Sequence, residues 1–93
     1  MHTMNVAEDQ DLMEKAKAEQ FIAETPMMEG IESTRVELGE DHTGDPVMWL
    51  VFRLRPDLNF DMEMARRFNE YAAIIQTKIL HGGLKRFPHT RLE

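Results

Sequence analysis

The densest group of residues able to hold a metal ion lies in the segment 37–45. Its acidic and imidazole side chains are Glu37, Glu40, Asp41, His42 and Asp45. Carboxylate oxygens on a flexible loop suit a hard divalent cation. However, the segment lacks the D-x-[DN]-x-[DN]-G spacing of an EF-hand, and turns are rich in Asp and Gly for backbone reasons alone. We therefore predict a solvated turn rather than a cation site, and no cofactor for the chain.

The four histidines do not form a pattern that predicts catalysis. They are His2, His42, His81 and His89, and no two stand at H-x-x-x-H spacing. His81 falls near the expected end of a helix, where the helix dipole favours its charged form. His42 and His89 have no Asp or Ser partner close in sequence, so a catalytic triad has no support. We predict that the protein is not an enzyme.

A basic surface for RNA is the alternative functional interpretation. Its candidate residues are Arg53, Arg55, Arg66 and Arg67. Small α/β RNA-binding modules need a KH-type GxxG loop or exposed aromatic side chains on an RNP-like strand, and the sequence indicates neither. The formal net charge of −6 also disfavours non-specific binding to phosphates. Nucleic acid is therefore a disfavoured partner.

Length and composition indicate a single domain, 1–93, that gains from self-association. A chain of 93 residues buries only a modest share of its surface, and small domains commonly add disulfides, a metal or oligomerisation. The sequence has no cysteine, which excludes disulfides and thiolate zinc sites. We see no signal peptide and no apolar run of the roughly 20 residues that span a bilayer. The expectation is a cytoplasmic protein that does not contact a membrane.

The elements that would position these residues centre on a hairpin over 36–54. The predicted fold class is α+β in the order α-β-β-α(-β), an antiparallel hairpin with two helices packed on one face. Alternating polarity predicts strands over 31–38 and 47–55, joined by a turn over 39–46. The tail 84–93 is either a short third strand, parallel to the hairpin and placed at an edge by Pro88, or an irregular tail. Its final Leu-Glu is alternatively a cloning remnant.

Helix-forming composition predicts the first helix over 8–23, after a frayed segment 1–7 and a cap at Asn5. Its expected core-facing stripe is Leu12, Ala16, Glu19 and Ala23. The second helix begins after a cap at Asn59 or Asp61 and ends at Gly82, which we expect in the left-handed conformation. Its apolar periodicity is the clearest in the chain and comprises Met64, Phe68, Tyr71, Ala72, Ile75 and Ile79.

The second strand is apolar on both faces. Met48, Leu50, Phe52 and Leu54 suit a core beneath the helices, whereas Val47, Trp49 and Val51 point to the other side. A strand that is apolar on both sides is normally covered on both sides, and two helices on one face leave the Trp49 side open. We therefore predict a homodimer or higher homo-oligomer whose interface contains Val47, Trp49 and Val51.

The hairpin also carries a resemblance. The pattern VELGED-x-x-GDP-x-x-W over 36–49, with Arg-Phe-Pro at 86–88, resembles a group of small uncharacterised bacterial α/β proteins. These are encoded in accessory or mobile genome regions, some of them in toxin–antitoxin-like gene pairs. The resemblance covers residues 36–55 and 86–88, about a quarter of the chain. It implies a small α/β interaction protein without an assigned activity, and it supplies no catalytic residues.

A protein partner is a second expectation. Residues 1–46 hold 12 acidic and 3 basic side chains, whereas residues 47–93 hold 5 acidic and 8 basic ones. The acidic first helix could cover a basic site on another protein, as an antitoxin does. Such a helix would be weakly protected from hydrogen exchange when the chain is alone.

Overall fold

The structure is a computed structural model that describes residues 6–93, with side chains from residue 9 onward. Its elements follow the order α-β-β-α-β, which confirms the predicted α+β fold class. Their bounds are α1 Val6–Glu24, β1 Ile31–Glu40, β2 Pro46–Leu54, α2 Met62–His81 and β3 Phe87–Leu92. The predicted cap Asn5 and most of the predicted frayed segment lie outside the described residues. Val6 and Ala7 belong to α1, which therefore begins two residues before the predicted start at residue 8.

The three strands form one mixed sheet in the order β1-β2-β3. β1 and β2 are an antiparallel hairpin, in which Val36 lies opposite Leu50 and Glu37 opposite Trp49. β3 runs parallel to β2 and places His89 beside Trp49. The alternative of a parallel third strand at an edge is therefore confirmed for the tail. Pro88 fits there because, among residues 6–93, β3 pairs with another strand along one edge alone.

Both helices pack on one face of the sheet, as predicted. The core is built from the face of β2 that carries Met48, Leu50 and Phe52, all fully buried. α2 contributes Phe68, Tyr71, Ala72, Ile75 and Ile79 to this core. The Phe52 ring meets those of Phe68 and Tyr71 edge to face, at centroid distances of 5.4 and 5.6 Å. The predicted apolar stripe of α2 is thus the one that the fold buries, apart from the half-buried Met64 at its start.

The predicted face of α1 is wrong. Leu12, Ala16, Glu19 and Ala23 are exposed, and the buried positions are Glu14, Ala18 and Ile22, four residues apart. The Glu14 carboxylate accepts hydrogen bonds from the backbone N–H groups of Lys85 and Arg86. A buried glutamate in the stripe removes the apolar periodicity from which a core-facing helix is recognised.

The ends of α2 follow sequence signals, with one correction. Asp61 is the N-cap, and its carboxylate accepts a hydrogen bond from Met64 N–H at 2.9 Å. Gly82 is not left-handed, because its φ of −79° continues the helical conformation. The left-handed residue is Gly83, with φ +77°. A Cβ on Gly82 would lie 3.0 Å from the ring of Phe21, so close packing against α1 explains that glycine.

Neither of the helices described between residues 6 and 93 is long and apolar enough to span a bilayer.

Candidate functional site

The face of the sheet opposite the helices is the candidate site, and we refer to it as the open face. Strand pairing arranges it in three rows across the sheet. The first row is Gly39, Val47 and Phe87; the second is Glu37, Trp49 and His89; the third is Arg35, Val51 and Arg91. Each row takes one residue from each strand; the central strand supplies an apolar residue to every row, and β3 adds Phe87 to the first.

Three aromatic rings lie together on the open face. The Trp49 and His89 rings have centroids 4.9 Å apart and are tilted by 32°. His89 in turn contacts Phe87, at a centroid distance of 5.2 Å. Trp49 and His89 are half-buried, whereas Phe87 is 54% exposed at the sheet edge. The rings form a continuous strip whose outer end is open to solvent.

Charged side chains bridge the outer strands across β2. The Arg91 guanidinium lies 4.7 Å from the centre of the Trp49 ring, a cation–π contact, and 3.8 Å from the Glu37 carboxylate. Arg35 contacts Glu37 at 2.7 Å and Glu93 at 2.5 Å. The hydrogen bond to Glu93, and to a smaller extent the one to Glu37, raises the pKa of Arg35 further above its already high ordinary value. Arg35 likewise lowers the pKa of Glu93.

This network corrects one premise of the sequence analysis. Val47 is only 2% exposed and Val51 only 1%, in a single chain. Their cover comes from the chain itself, since strand pairing sets Phe87 beside Val47 and sets Arg35 and Arg91 on either side of Val51. Long arginine and glutamate side chains can bury apolar surface while their charged ends stay in water. Of the three predicted interface residues, Trp49 alone retains exposed surface for a partner.

The predicted basic surface is divided between different parts of the molecule. Arg53 extends from β2 and lies 3.7 Å from Glu32, and Arg55 follows β2 and lies 3.9 Å from Asp57. The arginines of α2 are on the helix that packs against the other face of the sheet. Arg66 contacts Glu63 and Glu70, and Arg67 contacts Glu63. Each of the four arginines thus has a carboxylate within 4 Å, with which a phosphate would compete.

The acidic segment 37–45 is divided between β1, which holds Glu37 and Glu40, and a structured turn over 41–45. Asp41 Oδ1 accepts hydrogen bonds from the Thr43 hydroxyl at 2.6 Å, from Thr43 N–H at 2.8 Å and from Asp45 N–H at 3.0 Å. The hydrogen bond from the Thr43 hydroxyl is the main reason that the pKa of Asp41 is lowered. Within the part of the chain that the structure describes, no three His, Cys, Asp or Glu side chains come together as metal ligands.

The histidines of the described chain are placed apart from one another. His81 lies in the last turn of α2, and His42 is exposed in the turn between β1 and β2. His89 is the one that joins the open face, through its contacts with Trp49 and Phe87. Sequence reasoning missed Phe87 and His89 as site residues. The available signal was the alternation in FPHTRL, which puts both side chains on the same face as Trp49 once β3 is a strand.

Comparisons with protein-family models, with curated proteins and with solved structures give no match for this chain.

Proposed function

We propose that this protein is a small, non-catalytic interaction protein that associates with a second copy of itself through the open face, centred on Trp49 and Phe87. The observation that carries the proposal is the strip of aromatic rings on the sheet face opposite both helices. Aromatic anchors ringed by polar side chains are typical of the centre of a protein interface.

The favourable free energy of association comes from burying Trp49 and Phe87 rather than from Val47 and Val51, which are already buried. An aromatic side chain buries about 150–250 Å², so covering the exposed 54% of Phe87 stabilises association by about 2–3 kcal/mol per copy. The half-buried Trp49 adds to this. Association costs about 4 kcal/mol or more in lost freedom of motion, so the net gain is a few kcal/mol and we expect a weak contact, with a Kd of about 0.1–1 mM.

The charges of the open face suit a second copy. Arg35 and Arg91 are balanced on this face by Glu37 and Glu93. A two-fold contact places each copy's arginines within reach of the other copy's glutamates, without a net like-charge repulsion. The same balance disfavours RNA, because each arginine there already has a carboxylate partner.

A further protein partner belongs to the same proposal. The resemblance of the hairpin to bacterial proteins from toxin–antitoxin-like gene pairs supports an antitoxin-like role in the cytoplasm. The exposed acidic side chains of α1 are Asp9, Glu19 and Glu24. They suit a basic surface on that partner, while the buried stripe of α1 keeps the helix attached to its own core.

Sedimentation velocity on the full chain tests the proposal. We expect wild-type protein to associate as its concentration is raised toward the millimolar range. Trp49→Asp and Phe87→Ser should be folded and lose association through the open face, so their particles should be smaller than those of wild type at the same concentration. Ile74→Ser is the matched control, because Ile74 is similarly exposed (50%) but lies on α2, and it should associate like wild type. A wild-type chain that stays monomeric, or variants that associate unchanged, would contradict the proposal.

RNA binding stays as the alternative, because stacked rings beside Arg91 are also the chemistry that holds unpaired bases. Titration with a fluorescent single-stranded RNA at several salt concentrations separates the two functions. Binding that weakens steeply with salt and is lost in Trp49→Asp supports RNA. No binding at low salt leaves the protein interface as the function.

A further inference from the structure

The outer edge of β1 carries unused hydrogen-bonding groups. β1 is a strand of ten residues at one end of the sheet, and its strand partner in the described chain is β2. A long edge strand is a template for pairing with another strand, and natural proteins usually shorten, cover or charge such an edge. The edge of β1 contains no proline and no bulge over 33–40.

The hairpin register shows which backbone groups point outward. Asp41 N–H donates to the Asp45 carbonyl at 2.9 Å. Because hydrogen-bonded and non-hydrogen-bonded pairs alternate along an antiparallel ladder, the odd-numbered residues of β1 bond to β2. The even-numbered residues Thr34, Val36 and Leu38 therefore direct their N–H and C=O groups toward the free edge.

We propose that this edge pairs with the β1 edge of a second copy, antiparallel about a two-fold axis at Val36. In this register Arg35 lies opposite Glu37 of the second copy, and Glu37 lies opposite its Arg35, on the open face. Sliding the strands by one hydrogen-bonding step in either direction places two Arg35 or two Glu37 side chains opposite each other. Opposite charges in such cross-strand positions stabilise a sheet and like charges destabilise it, so charge selects the Val36 register.

A groove beside β1 is consistent with a two-fold axis at Val36. It lies between α1 and β1, has a volume of about 610 Å³, and is lined in part by Lys15, Glu19, Ala23, Thr34 and Val36. A two-fold axis at Val36 brings the α1 helix of the second copy to this groove in the opposite direction.

The edge contact is separate from the contact through the open face. Two copies joined at β1 form a continuous sheet of six strands, with both Trp49 side chains on the same side. If both contacts form, the assembly is larger than a dimer. The edge contact does not depend on the proposed function, and its test distinguishes failure of one contact from failure of the other.

The deciding experiment is a charge exchange measured by sedimentation velocity on the full chain. On a Trp49→Asp background, which removes the open-face contact, Arg35→Glu and Glu37→Arg should each be folded and monomeric, because each sets like charges opposite each other across the axis. An equimolar mixture of the two should form a particle of twice the 10.9 kDa chain mass, because every cross-strand pair is then opposite in charge. A mixture that stays monomeric overturns the proposal.

Two further variants locate the contact. Thr34→Pro removes an outward-facing N–H without removing a bond to β2, so this protein should be folded by circular dichroism and unable to pair at the edge. Trp49→Asp should still form edge-paired dimers. A folded Thr34→Pro protein that associates like wild type overturns edge pairing. A folded Trp49→Asp protein that is monomeric also overturns it, and that result assigns association to the open face. If Thr34→Pro does not fold, the mixture of Arg35→Glu and Glu37→Arg proteins tests edge pairing by itself.

Discussion

The Arg86 guanidinium and the Asp11 carboxylate meet across 75 residues of sequence, with Arg86 Nη2 at 3.1 Å from Asp11 Oδ1. The other side of the same guanidinium donates from Nη1 to the Gly39 carbonyl at 2.6 Å and to the Val47 carbonyl at 3.0 Å. Arg86 therefore ties α1, β1 and β2 together at the closed end of the hairpin. Its side chain is only 14% exposed.

Removing this guanidinium should destabilise the fold. We expect Arg86→Ala to lower the free energy of unfolding by about 2–3 kcal/mol, since largely buried, charge-assisted hydrogen bonds are lost. Arg86→Lys should recover only part of this, because a lysine lacks the planar fork that reaches three oxygen acceptors. Asp11→Asn should cost less than about 1 kcal/mol, because Asp11 is 42% exposed. Urea denaturation measures all three, and equal losses for Arg86→Ala and Asp11→Asn would contradict this account.

Tyr71 carries a buried hydroxyl that finds no hydrogen-bond partner among the described residues. We expect Tyr71→Phe to raise the free energy of unfolding by about 1 kcal/mol, because an unsatisfied buried polar group is removed and the ring packing is kept. Tyr71→Leu is the control that removes the edge-to-face contact with Phe52 and should destabilise. A destabilised Tyr71→Phe protein would show that the hydroxyl has a partner in solution.

Tyr71 also lowers the stability of the fold at alkaline pH. Burial raises the pKa of Tyr71 above its ordinary value of 10.0. Above pH 10 the unfolded chain therefore releases the phenolic proton while the folded chain retains it, and stability falls as pH rises. Tyr71→Phe should show a smaller loss of unfolding free energy than wild type over this range. Parallel curves for the two proteins would contradict the assignment.

The sequence was sufficient for the elements whose burial is periodic. α2 shows its buried face in the spacing of Phe68, Ala72, Ile75 and Ile79, and β2 shows two apolar faces by simple alternation. These patterns are local, so the helix, the hairpin and their packing on one side could be derived without coordinates. Capping signals are local as well, and they narrowed the N-cap of α2 to two candidates, Asn59 and Asp61.

The sequence was insufficient where a residue acts through distant partners. Glu14 is buried because backbone N–H groups more than 70 residues away bond to it, and no local pattern indicates that. Similarly, Val51 is covered by side chains from β1 and β3, so counting helices underestimated the cover available to β2. The aromatic strip of the open face required the parallel pairing of β3, which sequence left as one of two alternatives.

Gly83 is a residue where the backbone alone demands glycine. Its φ is +77°, and a Cβ at this position would meet no atom within 4 Å. We therefore expect Gly83→Ala to lower the free energy of unfolding by about 1 kcal/mol through backbone strain only. Gly83→Asn should cost less, because asparagine tolerates the left-handed conformation. Urea denaturation compares the two, and equal costs would indicate contacts at this position instead.

Asp41 gives the turn between β1 and β2 an acid-sensitive component. Its carboxylate accepts three hydrogen bonds from Thr43 and Asp45, and the Thr43 hydroxyl in particular holds the pKa of Asp41 below 3.8. As pH falls below that value, the unfolded chain binds the proton first, so this contribution to stability is lost. Carbon NMR of the side-chain carboxyl should show a titration midpoint below 3.8. Asp41→Asn keeps an acceptor oxygen without the titration and should lose less stability on acidification, whereas Asp41→Ala should loosen the turn at every pH. A midpoint at or above 3.8 would show that the turn does not hold the charged form.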